Sequence, residues 1–81
     1  MDESKMQMIQ FELDFNRKRL AATMEQARKK AADFAALDPS SQSARWELET
    51  IGQSMQKLAK QMGEYKSKIE AIENVLEIVA K

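Results

Sequence analysis

The side chains that could do chemistry in this sequence are charged ones, and their types limit what that chemistry could be. Cys and His are both absent from the 81 residues. Thiolate nucleophiles, the usual zinc ligands and the side chain most used for proton transfer near neutral pH are therefore missing. Carboxylates remain as candidate acids, bases or cation ligands. They are scattered: Glu12, Asp14, Glu25, Asp33, Glu47, Glu49, Glu64, Glu70, Glu73 and Glu77 mostly stand beside basic residues. A di-metal helical bundle needs inward Glu together with Glu-x-x-His, which cannot occur here. No Gly-rich phosphate cradle is present either. The expectation is a non-enzymatic protein with no catalytic residue, no cofactor, no metal site and no small-molecule substrate.

The cations offer one further chemistry, phosphate binding. Arg17-Lys18-Arg19 and Arg28-Lys29-Lys30 lie eleven residues apart, which repeats the same helix faces one above the other. Each triplet nevertheless spreads around the helix, and Asp14, Glu25 and Asp33 are near enough to neutralise it. With 13 basic and 13 acidic residues the net charge is zero, so no long-range field steers the chain toward nucleic acid or anionic lipid. A solvated face is the favoured reading, and a nucleic-acid-binding hairpin dimer ranks behind protein partners.

The elements that carry these groups are helices. Two Gly and one Pro are too few for a chain of strands and turns. The strong punctuation is Leu37-Asp38-Pro39-Ser40-Ser41, with Asp38 expected as an N-cap and Pro39 as the first helical residue, and Ser40, Ser41 or Ser43 as later caps. The layout expected is all-α, a single helical-hairpin domain over 1–81: helix 1 about 4–37, turn about 38–41, helix 2 about 42–80. Ser4 and Gln7 have capping-box spacing at the start.

Helix 2 carries an unbroken alternation of four and three: Ala44, Leu48, Ile51, Met55, Leu58, Met62, Tyr65, Ile69, Ile72, Leu76 and Val79. That is a heptad seam. Helix 1 has a thinner one, Met6, Ile9, Leu13, Asn16, Leu20, Met24, Ala27, Ala31 and Phe34. Residues facing across an antiparallel hairpin have position numbers with a nearly constant sum. Met6 with Ile72, Ile9 with Ile69, Leu13 with Tyr65, Leu20 with Leu58, Ala27 with Ile51 and Phe34 with Ala44 meet that condition. Asn16 then faces Met62, where it either fixes the register from inside the seam or lies at its wet edge.

Apolar residues left off the seam show where the hairpin is sticky. Met8, Phe11 and Phe15 form a second stripe on helix 1, and Val75 and Ile78 widen the face of helix 2; antiparallel pairing brings both regions to the open end, away from the turn. Nearer the turn, Gly52, Ala59 and Gly63 form a small-residue strip, which marks either the close approach of another helix or tolerated surface glycine. Trp46 either caps the turn end of the core against Phe34 or stands exposed as an anchor, capping being preferred. A chain of this size has a marginal core, and without disulfide or metal its staple is oligomerisation or a helical partner.

A helix, a turn containing Asp38-Pro39-Ser40-Ser41 and a second heptad helix, within about eighty residues, resembles the needle-subunit family of bacterial type III secretion systems. The resemblance covers roughly residues 35–81 and rests on layout and the Pro39-Ser40 turn. It implies subunits packing helically into a hollow filament with the C-terminal helix inward. The family's second turn Pro is Gln42 or Ser43 here, and in place of its polar, flexible N-terminal segment this chain has a helical Met6 to Phe15. The ending Ile69-Glu70-Ala71-Ile72-Glu73-Asn74-Val75-Leu76 is similar in style to the small hairpin chaperones that hold such subunits. The functional expectation is a structural subunit that self-assembles through helix packing, with a chaperone or adaptor, built as a dimeric four-helix bundle, as the alternative. No secretory leader and no run of membrane-spanning length is visible, so the chain is expected to be made in the cytoplasm, with export by a route without a cleaved signal left open.

Overall fold

The computed structural model of the chain describes residues 3–38 and 40–80. Two helices, α1 (Glu3–Ala36) and α2 (Gln42–Ala80), pack against each other as an antiparallel hairpin. At about 1.5 Å per residue a helix the length of α2 spans nearly 60 Å. The molecule is accordingly a rod of 60 × 14 × 13 Å. Its radius of gyration is 18.3 Å. A compact domain of this length would have about 12 Å.

Such a rod buries little. Leu13, at 3% exposure, and Ala44 are the buried apolar residues, and the seam of α2 from Leu48 to Val79 is half-covered. The accessible surface is 6456 Å². A compact monomer of the same mass would expose roughly 5,000 Å². The excess is the physical measure of how far a two-helix hairpin falls short of closing its own core.

On α1 the half-buried and buried positions are Met6, Ile9, Leu13, Asn16, Leu20, Thr23 and Ala27. Here the structure corrects the sequence reading. Met24 was expected in the seam, yet it is exposed and Thr23 is buried in its place. The alternation of three and four that runs through Asn16 and Leu20 continues to Thr23 and Ala27; passing to Met24 takes two steps of four in succession and rotates off the seam. Thr23 fits because its hydroxyl donates to the Arg19 carbonyl at 2.8 Å, so its polar group is satisfied when buried. Phe34 is also exposed rather than enclosed. The alanines around it, Ala31 and Ala35 on its own helix and Ala44 on α2, lack the bulk to surround a phenyl ring.

Asn16 is buried, at 4% exposure, so it does not lie at a wet edge. Its Nδ2 donates to the Glu12 carbonyl at 2.8 Å, one turn back on the same helix. The side chain is thus satisfied locally, and the described hydrogen bond does not tie α1 to α2.

The turn is organised by Asp38. Ser41 N–H donates to the Asp38 carbonyl at 3.2 Å. Asp38 Oδ1 accepts from Ser40 N–H at 3.0 Å and from Ser40 Oγ at 2.8 Å. The carboxylate therefore caps the turn and not α2. Ser41 stands at the N-cap instead, since its carbonyl accepts the first helical bond from Arg45 N–H at 3.3 Å. The expectation that Pro39 opens α2 falls on a residue outside those described. At the other end α1 begins at Glu3, so Ser4 is inside the first turn and not its cap. An acidic Glu3 there suits the positive end of the helix dipole.

The two donors from Ser40 hold the Asp38 carboxyl below its ordinary value. A depressed folded-state pKa means that the contribution is present above the unfolded value and disappears as pH falls through the folded one. We expect the melting temperature of the chain to drop on acidification below about pH 4. The Asp38→Asn variant, which keeps an acceptor but cannot titrate, should lose less over that interval. Equal acid losses in the two proteins would show that this turn does not contribute.

Candidate functional site

The hairpin has two long faces, and cross-helix contacts identify them. On one, Arg19 Nε donates to Tyr65 Oη at 3.3 Å, with the guanidinium carbon 6.0 Å and Lys68 Nζ 5.9 Å from the ring centroid. Both cations sit at the outer reach of a cation–π contact. On the other face Arg17 Nη2 approaches Glu73 Oε1 at 3.8 Å. Arg17 and Arg19 thus serve opposite sides of the rod. Arg28 pairs with Glu25 at 2.8 Å on its own helix, holding the Glu25 carboxyl below its ordinary range. The basic triplets therefore do not form one stripe.

Steps of seven return a helix to nearly the same side, which places the remaining residues. The Arg19–Tyr65 side carries Met8, Phe15 and Lys29 from α1 in one such series, and Glu12, Arg19, Gln26 and Asp33 in the next. From α2 it carries Ser54, Gln61, Lys68 and Val75, with Lys57, Ala71 and Ile78 beside them. A groove between the helices follows this face. Near the open end it is lined by Met8, Ile9, Glu12, Ala71, Ile72 and Val75. It continues past Phe15, Asn16, Arg19, Tyr65 and Lys68. In the turn half its walls are Gln26, Lys29, Lys30, Asp33, Ser54, Lys57, Leu58 and Gln61. One face is therefore apolar at the open end and cationic toward the turn.

The apolar stretch also gathers five of the exposed large hydrophobic side chains of the described residues. Phe11 is 68% and Ile78 73% exposed, and Met8, Phe15 and Val75 are exposed with them. Met8, Phe15, Ala71 and Val75 face out over the groove, while Phe11 and Ile78 stand on its shoulders. Their concentration at one end of a small rod sets them apart from a scatter of single exposed apolar residues.

Gly52 and Ala59 lie three and two steps of seven before Glu73, so they belong to the Arg17–Glu73 side, with Gly63 one turn beyond Ala59. The small-residue strip and the open-end patch are thus on different faces. A Cβ built at Gly52 or Gly63 meets nothing within 4 Å, so α1 is not what calls for glycine there. Gly52→Ala and Gly63→Ala should each stabilise the isolated hairpin by about 0.5–1 kcal/mol, the ordinary gain in helix propensity. Denaturant titration of dilute protein measures it, and a loss of stability would mean that the hairpin itself needs these positions open.

No known protein family, no curated protein and no solved structure matches the chain. The reading of the site consequently stands on its residues. Trp46, expected over the end of the core, is 70% exposed. It lies two residues from Ala44 and from Leu48, which turns it to the far side of α2, away from α1. The patch was legible in the sequence; the lysine-lined continuation of the groove was not, because Lys29, Lys30 and Lys57 come from distant positions and only pairing brings them together. No helix of the described residues is long and apolar enough to cross a membrane.

Proposed function

We propose that this chain is a non-enzymatic structural subunit that assembles by helix packing through the apolar open end of its groove face. The observation that carries this reading is the contiguous exposure of Met8, Phe11, Phe15, Val75 and Ile78 on a rod that cannot close its own core. Burying one large apolar side chain contributes about 1.5–3 kcal/mol, so five of them outweigh the ordering of a few side chains at an interface. A needle-like filament subunit, made in the cytoplasm and exported without a cleaved leader, is the specific form suggested by the two-helix layout and the Asp38–Ser41 turn. In that form the Gly52, Ala59 and Gly63 strip on the opposite face supplies the second contact a growing array requires.

A chaperone or adaptor is the second reading. It is favoured by the apolar groove between Met8 and Val75, whose walls suit the exposed face of an amphipathic helix from a partner protein. Sedimentation across a concentration series separates the two. Open-ended growth supports the filament subunit, and a fixed dimer or tetramer no longer than one 60 Å rod supports the bundle-forming adaptor. Chains that bind DNA or RNA with steep salt dependence, and do not associate with protein, would set both aside.

A further inference from the structure

From the distribution of charge and apolar surface along the groove face, we infer that its occupant is a second copy of this chain, laid antiparallel and staggered so that only the two open ends overlap. The inference rests on the proposed reading of that face as an assembly surface and specifies its partner and geometry. Three ways of stacking two identical faces can be compared. In a parallel pair the turn halves coincide, and Lys29, Lys30 and Lys57 of one copy meet the same lysines of the other with a single Asp33 from each to offset them. Like charges so placed oppose association. In a fully overlapped antiparallel pair the lysines of each turn half cover the Met8 and Phe15 region of the other copy, desolvating cations on an apolar patch.

The staggered antiparallel pair keeps the lysine-lined halves apart and off the apolar patch, leaving one Glu12 from each copy as the like charges at its centre. Its two-fold axis crosses the rods near Glu12 and Ile72, residues that line the same stretch of groove. About that axis Met8 lies against the partner's Phe15 and Phe15 against the partner's Met8; on α2, Ala71 lies against the partner's Val75. Apolar surface meets apolar surface at the centre of the overlap, Arg19 and Lys68 fall toward its rim, and the lysine-lined turn halves project in opposite directions. The axis stands about 13 Å from the open end at 1.5 Å per residue, so the rods overlap by about 25 Å. Two helices of about 10 Å diameter over that overlap bury on the order of 1,000 Å² in total, the lower bound for a specific interface. The pair is therefore reversible, and it leaves the Gly52 face of each copy uncovered.

Because the chain has no Cys, single substitutions report the geometry directly. Glu12→Cys places a thiol beside the axis, within disulfide reach of its own counterpart, and removes the one like-charge pair there. Lys57→Cys places one in the projecting half. We expect Glu12→Cys to form a linked dimer under mild oxidation at least about tenfold faster than Lys57→Cys, by effective concentration. Small-angle scattering of the unmodified pair should give a maximum dimension of about 95 Å from two 60 Å rods. A dimer no longer than about 60 Å, or faster linkage through Lys57→Cys, overturns the staggered arrangement. A chain that stays monomeric at millimolar concentration overturns the second copy as occupant. The reading of the surface itself is judged separately, by whether Phe11→Asp with Phe15→Asp abolishes association.

Discussion

A chain carrying Phe11→Asp and Phe15→Asp should sediment as a monomer at concentrations where the unmodified chain is associated. Both rings are exposed in the hairpin, and neither belongs to the seam between α1 and α2. The substitutions therefore remove little from the folded rod. At an interface they remove two phenylalanines worth about 1.5–3 kcal/mol each when buried, and the new carboxylates add a desolvation penalty. A weakening of association by at least about a hundredfold follows, since each 1.4 kcal/mol is a factor of ten. Helicity should persist when the variant is concentrated. Unaltered association would place the contact surface elsewhere on the rod.

The second large effect falls inside the hairpin. Among the described residues Leu13 is the one large apolar side chain that the two helices bury almost completely. Leu13→Ala removes its burial and leaves a cavity that costs about 2.7–5 kcal/mol. A domain this small has only a few kcal/mol in reserve. The expected result is a chain unfolded when dilute, with circular dichroism showing helix return only as concentration rises. Met24→Ala, by contrast, should change the stability of the dilute hairpin little, because Met24 is exposed. If Met24→Ala proved the more damaging of the two, the seam would run along a different line of α1.

The contrast between Leu13 and Met24 also shows where sequence reasoning reached its limit. The fold was legible, because the alternation from Ala44 to Val79 has no gap and one Asp-Pro punctuation divides it from α1. The seam of α1 was legible only where its residues are bulky. Thr23 carries no apolar bulk to mark it as a seam residue, and only the geometry shows that the Arg19 carbonyl accepts its hydroxyl and lets it be buried. Asp38 was read as a cap for α2 because Asp before Pro is a common start signal. It instead caps the turn through Ser40, since Ser41 takes the helix start with its own carbonyl. Seam spacing and the pairing with Ala44 place Phe34 in the core and favour Trp46 as a cap beside it, whereas enclosing a ring takes bulky neighbours that the alanines of the turn half do not supply. The open-end patch was visible as surplus apolar residues off the seam. Its position relative to the Gly52 strip needed the Arg17–Glu73 and Arg19–Tyr65 contacts to tell one side of the rod from the other.

The buried polar side chains Asn16 and Thr23 both hydrogen-bond to their own helix, to Glu12 and Arg19 respectively. When α1 and α2 part, neither loses a partner, so no stranded donor or acceptor resists the movement. The joint between the helices can unzip from the open end and close again, or close on a neighbour's helix, at the cost of greasy contact and of the exposed Arg19–Tyr65 and Arg17–Glu73 links alone. Amide protons along both helices should then exchange through shallow openings of the whole joint, and the exchange should slow as neighbours become available to hold it shut.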